Sequence, residues 1–130
     1  MIDTSAFIAA LIEDHEFHHL ARPSLTATTR IPVIVMAEAF SQLRRSFGQS
    51  ARTAAQLLGP WSAAKHLLPT TAETAAAVLA RTVELDLGGN IHDALIAQAC
   101  KDADVPLATL DGRQHRTALA LGVHSTYLAA

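Results

Sequence analysis

Short apolar runs that suit β-strands alternate with longer helical segments along the whole chain, and this alternation constrains the fold most. The predicted strands lie at Ile2 and at residues 25–29, 66–68, 106–110 and 125–128. Strands that are separated by helices are typical of a parallel sheet with helices on both of its faces. The sequence therefore predicts an α/β fold.

The longest predicted helix follows Pro32, a residue that is well tolerated at the first position of a helix. Within roughly 60° of one another around this helix lie four apolar residues, Met36, Phe40, Leu43 and Phe47. We therefore expect these four side chains to form the buried face of the helix, and Gly48 to end it.

Further helices are predicted over residues 5–13, 16–21, 50–58, 70–85 and 91–103, and a last one follows Gly112 and ends at Leu121. Thr70 with Glu73 has the pattern of a capping box at the start of the helix over 70–85. The pair at 88–89, Gly-Gly, predicts a turn, and Asn90 predicts a cap for the helix that follows.

Length and composition favour one compact domain over residues 1–130. The chain has 130 residues, 50% hydrophobic and 17% charged, which suffices for a core but not for two domains. Cys100 is the only cysteine, so we expect no disulfide and a reducing compartment, the cytoplasm. The sequence indicates neither a membrane span nor a signal peptide. The net charge of −2 gives no overall basic field for nucleic acid.

Four acidic residues stand inside or at the edge of strongly apolar stretches: Asp3, Glu38, Asp93 and Asp111. Asp3 and Asp111 directly follow predicted strands, and ligand sites of open α/β sheets lie at the carboxyl ends of strands. Asp93 lies in the first turn of a predicted helix, and Glu38 lies in the first turns after its own strand. We therefore expect the four carboxylates to converge on one edge of the sheet.

Each aspartate also fits an ordinary structural role. Asp3 could cap a helix, Asp93 could pair with Asn90 in a capping arrangement, and Asp111 could open an Asp-Gly turn. Glu38 has no such role, because apolar residues flank it and no Lys or Arg lies one helical turn before it. A buried carboxylate needs a partner, and a divalent cation shared with the other acids would provide one.

The chemistry of four carboxylates predicts the metal. Carboxylates that are held close together repel, so some would be neutral at pH 7 unless a cation intervenes. Ligands that are all oxygen suit hard ions, so we expect Mg²⁺, or alternatively Mn²⁺, rather than Zn²⁺. Such a site would activate water and stabilise the negative charge that develops in phosphodiester hydrolysis.

Four segments resemble, in order, the signature segments of PIN domains: Asp3-Thr4-Ser5-Ala6, Val35-Met36-Ala37-Glu38, Ile91-His92-Asp93-Ala94-Leu95-Ile96-Ala97 and Ala108-Thr109-Leu110-Asp111. The size and the Asp-Thr-Ser start are most similar to VapC-type toxins. The resemblance implies a three-layer α/β/α sandwich around a central parallel sheet and a Mg²⁺-dependent endoribonuclease activity. The chain departs from the family in one respect, since only two residues precede Asp3 where a longer first strand is usual.

The resemblance also implies roles for single residues and for partners. Asp3, Asp93 and Asp111 would be the principal acids of the metal site, and Glu38 would complete it. The hydroxyl of Ser5 would support the geometry of the carboxylates. The implied partners are an RNA substrate, a cognate VapB-type antitoxin that inhibits the enzyme, and a second copy of the chain in a homodimer.

Basic residues near the acids are candidate contacts for RNA phosphates. Arg113 and Arg116 follow the last acid, and Arg44 with Arg45 could form a second basic patch. The alternative for each arginine is an ordinary solvated charge. His92 could act in proton transfer, although a histidine at a helix start is more often structural.

Two other functions compete with the nuclease. The segment His15-Glu16-Phe17-His18-His19 contains the His-Glu-x-x-His pattern of zinc proteases, so a zinc hydrolase would use His15, Glu16 and His19. Seven histidines make this pattern easy to obtain, and only fourteen residues precede it, too few for a zincin fold. A catalytically inert binding module with the PIN scaffold is the other alternative. Because all four acids are present, the four-carboxylate nuclease is the preferred prediction.

Overall fold

A computed structural model describes residues 1–85 and 91–130 of the chain. In this part the helices are α1 (Thr4–Leu11), α2 (His18–Ala21), α3 (Val33–Arg45), α4 (Ala51–Leu58), α5 (Ala72–Leu85), α6 (Ile91–Ala103) and α7 (Gly112–Ala120). The strands are β1 (Ile31–Pro32), β2 (Leu67–Leu68), β3 (Leu107–Thr109) and β4 (Ser125–Tyr127).

The strands form two parallel pairs, and the backbone of Ile2 links the two pairs into one parallel layer. β1 pairs with β2, and β3 pairs with β4, both in parallel. Ile2 forms a parallel bridge with Ala108 of β3, and its amide also donates to the Arg30 carbonyl, just before β1, at 3.3 Å. The strand order is therefore β2, β1, Ile2, β3, β4.

The helices form two layers, one on each face of this sheet. α1 packs against α2 and α3, and α3 packs against α4, whereas α6 packs against both α5 and α7. The chain moves from Ile2 to β1 and β2 through the first group of helices, then crosses to β3 and β4 through the second. Right-handed crossovers in opposite directions place their helices on opposite faces. The fold is the predicted three-layer α/β/α sandwich.

The core is a cluster of buried apolar side chains between these layers. The sheet contributes Ile2, Ile31 and Leu107, each at most 1% exposed, and α1 contributes Phe7, which is fully buried. Cys100 is buried among them. No helix in residues 1–85 or 91–130 has the length and apolar character to cross a membrane.

The strand that was predicted at residues 25–29 is absent there, and β1 begins only at Ile31. The Thr29 hydroxyl accepts a hydrogen bond from the Thr26 amide at 2.8 Å and donates to the Ser24 carbonyl at 2.9 Å. Threonine side chains that bond to nearby backbone favour turns over strands. The β-branched residues of this segment therefore close a turn that precedes the strand.

The predicted buried face of α3 is wrong for the two phenylalanines. Phe40 is 39% exposed and Phe47 is 36% exposed, and the helix ends at Arg45, before Phe47 and Gly48. The buried stripe consists of Val35, Ala39 and Leu43. These residues follow one another at four-residue spacing, so they share a face, and their smaller side chains allow closer packing against α1.

Helix starts were predicted with mixed success. Ser50 caps α4, where its hydroxyl accepts from the Thr53 amide at 3.1 Å, and α6 has its predicted bounds. α5 starts one residue later than the predicted capping box: the Thr71 hydroxyl accepts from the Thr74 amide at 3.1 Å, so Thr71 replaces Thr70 as the cap. The predicted turn and cap at 88–90 lie outside the described residues.

Replacing Leu43 with alanine is expected to lower the free energy of unfolding by about 2–5 kcal/mol, because this side chain is fully buried. Phe40→Ala is the matched comparison on the same helix and should cost less, since Phe40 is 39% exposed. Urea denaturation of the two variants measures the difference. A loss for Phe40→Ala that equals or exceeds that of Leu43→Ala would contradict the observed burial.

Candidate active site

Two of the candidate acids lie at adjacent carboxyl ends of the sheet. Asp3 directly follows Ile2 and caps α1, and Asp111 follows β3 and caps α7. Ile2 and β3 are neighbours in the sheet, and the chain leaves them toward opposite faces. The order of the strands therefore reverses at this point, and the carboxyl edge beside such a reversal is where open α/β sheets bind ligands.

The other two acids are brought to the same edge by α3 and α6. Glu38 lies in the second turn of α3, which starts directly after β1. Asp93 lies in the first turn of α6, whose last residues lead into the start of β3, so its first turn lies at the opposite, carboxyl edge. The charges of Asp111 and Glu38 both act on Asp93, and the charge of Asp111 acts on Asp3. The structure thus places all four acids in one electrostatic neighbourhood.

Asp3 is held by a dense set of hydrogen bonds and is only 3% exposed. One carboxylate oxygen accepts from the Ala6 amide at 3.0 Å and from the Ser5 hydroxyl at 2.8 Å. The other accepts from the Ser5 hydroxyl at 3.0 Å and from the Thr109 hydroxyl. The Ser5 hydroxyl therefore contacts both oxygens of the Asp3 carboxylate.

The same hydroxyls tie the start of α1 to the end of β3. The Leu110 amide donates to the Ser5 hydroxyl at 3.1 Å, and the Asp111 amide donates to the Thr109 hydroxyl at 2.9 Å. Since Thr109 also donates to Asp3, one side chain fixes the backbone of one acid and the carboxylate of another. The relative placement of Asp3 and Asp111 therefore depends on two hydroxyl groups.

Glu38 has partners within the protein, contrary to the expectation that it would need a cation for lack of one. The Thr4 hydroxyl donates to its Oε1 at 2.9 Å, and His92 Nδ1 lies 3.5 Å from its Oε2. Its side chain is 26% exposed rather than buried in the apolar segment. Glu38 therefore lies at the rim of the site, connected to α1 and to α6.

Burial, followed by the negative charges of Asp111 and Glu38, raises the pKa of Asp93 from 3.8 to about 6, while His92 and Arg113 act in the opposite direction. A carboxylate in this position is costly because it loses water and faces other acids. The site therefore gains stability from any positive charge that enters it.

The pKa of Asp3 is raised for the same main reason, burial. Burial raises its pKa from 3.8 to about 6, against the hydrogen bonds from Thr109, Ala6 and Ser5, and the charge of Asp111 adds to the rise. The three donors and the positive end of α1 offset part of the cost of an ionised group at such a buried position.

The donor set fits a hard divalent cation in its chemistry, since it consists of carboxylates, and the negative charges of Asp111 and Glu38 act on their acidic neighbours. In residues 1–85 and 91–130, no three His, Cys, Asp or Glu side chains stand together as a ready-made metal shell. Mutual repulsion opposes such an arrangement until a counter-charge is present. The residues that could hold the ion are Asp3, Glu38, Asp93 and Asp111.

The structural roles that competed with the metal site are also present. Asp3 caps α1, and Asp111 caps α7 by accepting from the Arg113 amide at 2.8 Å. The proposed pairing of Asp93 with Asn90 involves a residue outside the described part of the chain. A cap uses the carboxylate as an acceptor from the backbone, so capping and service in an acidic site are compatible.

The candidate phosphate contacts lie on α7, beside the acids. Arg113 is exposed, and its positive charge acts on Asp93. Arg116 is also exposed, and a terminal nitrogen of its side chain packs against Gly112, one helical turn earlier. The Tyr127 hydroxyl lies beside the same glycine.

The two arginines of the second predicted basic patch, Arg44 and Arg45, have different surroundings. Arg44 and Arg45 both lie in the last turn of that helix and are exposed. Arg45 lines a cavity of about 390 Å³ together with Glu38 and His92, so it faces the rim of the acidic site. Arg44 is not among the residues that line this cavity.

The histidine segment does not form the site of a zinc hydrolase in the described residues. His15 and Glu16 lie in a turn, and α2 begins only at His18, not at residue 16 as predicted. The two histidines of the pattern, His15 and His19, therefore do not share one helical face. His15 Nδ1 accepts from the Phe17 amide at 3.1 Å, which gives it a structural role.

Sequence reasoning missed three polar side chains that shape the site: Thr4, Thr109 and Gln114. Gln114 is 1% exposed, and its Nε2 donates to the Asp93 carbonyl at 2.9 Å. Thr4 and Thr109 stand within the signature segments, where their hydroxyls beside acids were a usable signal. Gln114 gives no such signal, because it lies among polar residues of α7 and its burial depends on tertiary packing.

Comparison with known proteins identifies the family. A family model described as the PIN domain matches residues 1–119 of the chain. No curated protein matches the sequence. The match covers all four acids, both hydroxyl groups and Gln114.

The raised pKa values predict how stability depends on pH without metal. Because the folded-state pKa of Asp3 and of Asp93 is about 6 and the ordinary value is 3.8, the folded protein binds protons more tightly than the unfolded chain. The free energy of unfolding should therefore fall as pH rises from about 4 to about 6 and then level off. Urea denaturation across this range, in chelator, measures the effect.

Asp93→Asn should show a smaller fall over the same pH range, because it removes one carboxylate from the group. Asp14→Asn is the matched control, since Asp14 is an exposed acid that follows the far end of α1. A wild-type fall in Asp93→Asn would contradict the electrostatic grouping.

Proposed function

We propose a function from one premise: the chain belongs to the PIN-domain family, whose members are generally metal-dependent nucleases. It acts as an endoribonuclease that hydrolyses RNA phosphodiester bonds with a four-carboxylate metal site. The observation that carries this proposal is the shared electrostatic neighbourhood of Asp3, Glu38, Asp93 and Asp111 at the point where the strand order reverses.

Mg²⁺ is the proposed cofactor, with Mn²⁺ as a substitute, because carboxylate oxygens suit small hard ions. When bound, the ion supplies positive charge that activates water and stabilises the charge developing on the phosphate. The protein contributes the placement of its acids. The hydroxyls of Ser5 and Thr109 donate to Asp3, and the hydroxyl of Thr4 donates to Glu38.

The RNA backbone needs positive charge close to the acids, and α7 provides it. Arg113 and Arg116 are exposed on the helix that starts at Asp111. Arginine guanidinium groups bind phosphate oxygens through two parallel hydrogen bonds. We assign these two residues to the phosphates that flank the cleaved bond. The net charge of −2 makes such local contacts necessary.

The chain's biological role in this proposal is that of a VapC-type toxin in a type II toxin–antitoxin system. A cognate VapB-type antitoxin would silence the acidic site with a basic segment, since a guanidinium can bridge carboxylates. A homodimer is the proposed assembly and the cytoplasm the proposed compartment. The single, buried Cys100 agrees with a reducing environment.

Asp111→Asn is expected to lower RNA cleavage by about a hundredfold or more while the protein stays folded. Asparagine caps a helix as well as aspartate does, so this variant keeps the cap of α7 and removes only the charge. Cleavage of a mixed RNA in Mg²⁺, followed on a gel, gives the rate, and the melting temperature reports folding. Asp14→Asn should cleave like wild type.

Wild-type cleavage by Asp111→Asn would remove this residue from the active site. A wild type that binds RNA and cleaves nothing in Mg²⁺ would instead support the inert binding module.

The metal preference follows from the donors. After the protein is stripped with chelator, Mg²⁺ and Mn²⁺ should each restore cleavage, whereas Ca²⁺ should bind and serve poorly because its coordination shell is larger and looser. Rates measured with each ion, and with Zn²⁺, test this. Activity restored by Zn²⁺ alone would contradict the four-carboxylate site and favour a site with histidine ligands.

A further inference from the structure

The Gln114 side chain lies between α7 and the first turn of α6. It is 1% exposed, and its Nε2 donates to the backbone carbonyl of Asp93 at 2.9 Å. Its Oε1 is buried and has no hydrogen-bond partner in the described part of the chain. Gln114 precedes Ala118 by four residues on the buried face of α7, so it is the first side chain of that face to meet α6.

Packing alone does not account for an amide at this position. A buried carbonyl oxygen without a partner costs free energy, and an apolar side chain of similar volume would avoid that cost. The Asp93 carbonyl does not require Gln114 either, because inside α6 it already accepts from the amide four residues later. The hydrogen bond from Gln114 is therefore a second one to this carbonyl. Its role follows from the two helices that it joins.

The bond connects the backbone of Asp93 to the helix that Asp111 caps, and these two acids repel each other. Gln114 follows Asp111 by three residues, so it is fixed to the same first turns of α7. Asp93 lies in the first turn of α6, and the charge of Asp111 acts on it. Without a restraint, repulsion favours a wider separation of the two helix starts. A hydrogen bond between the helices opposes that separation.

We propose that Gln114 is a positioning residue that holds the starts of α6 and α7 at the separation at which Asp93 and Asp111 can share a divalent cation. This role rests on the proposed function, because it concerns the same acids. Gln114 does not touch the reacting atoms. It acts through the Asp93 backbone, at some expense of stability in the unpartnered Oε1.

The test measures Mn²⁺ binding by isothermal titration calorimetry, independently of RNA cleavage. Gln114→Met keeps the length of the side chain and removes the donor, and Gln114→Leu removes the donor with a different shape. Gln98→Met is the matched control: Gln98 is 7% exposed on α6, and its amide donates at 2.8 Å to Asp102, toward the end of α6 that lies away from Asp93. Melting temperatures in chelator report stability.

We expect the Mn²⁺ dissociation constant to rise about tenfold in both Gln114 variants and to stay within about twofold of wild type in Gln98→Met. The metal-free melting temperature of Gln114→Met should stay equal to wild type or rise, since the unpartnered carbonyl oxygen is gone. Cleavage by the variant should recover at saturating Mn²⁺. A purely structural glutamine would instead show lower stability with unchanged affinity.

Mn²⁺ affinity within twofold of wild type in both Gln114 variants would overturn the positioning role, whatever the cleavage rates are. A wild type that binds Mn²⁺ but does not cleave RNA would overturn the proposed function and leave the positioning role to be judged by affinity alone. The two failures are therefore distinguishable in one set of measurements.

Discussion

The parallel bridge between Ile2 and Ala108 is the contact on which the rest of the molecule depends. It attaches the start of the chain to β3, through an Asp3 amide that donates to the Ala108 carbonyl at 3.2 Å and an Ala108 amide that donates to the Met1 carbonyl at 3.0 Å. The Ile2 amide, which donates to the Arg30 carbonyl at 3.3 Å, links the same segment to the β1–β2 pair. Because the sheet reverses its order there, Asp3 emerges beside the end of β3. The placement of the four acids at the carboxyl edge is thus a direct result of strand order. The two helix layers beside them follow from the same order.

The site combines a stable frame with groups that destabilise it. Asp3 and Asp93 are buried acids whose charged forms are disfavoured, and the surrounding hydroxyls, amides and helix starts offset only part of that cost. Polar side chains such as Thr109 and Gln114 bridge separate elements where apolar contacts cannot. Buried charges that lower the stability of the folded state are typical of active sites, because the same charges favour the binding of a ligand.

The sequence predicted the α/β fold, the order of the elements and the neighbourhood of the acids, because strand ends and helix starts are local features. It failed where tertiary packing decides. The large apolar side chains of α3 suggested the wrong face, since the helix buries Val35 and Ala39 and leaves Phe40 partly exposed. The partners of Glu38 come from α1 and α6, which spacing along α3 does not reveal. The burial of Gln114 likewise depends on a neighbouring helix.

The double use of Asp3 and Asp111 as helix caps has a genetic consequence. Aspartate and asparagine codons differ by one base, and asparagine preserves a cap while it removes the charge. A single transition at the Asp111 codon therefore leads to a chain that keeps the cap of α7 and lacks one carboxylate of its acidic site. At Asp3 the same change would also remove the carboxylate oxygen that accepts from the Thr109 hydroxyl. If the active protein slows the growth of the cell that makes it, selection favours such inactive missense alleles. Because their products still fold, the abundance of the protein would not fall.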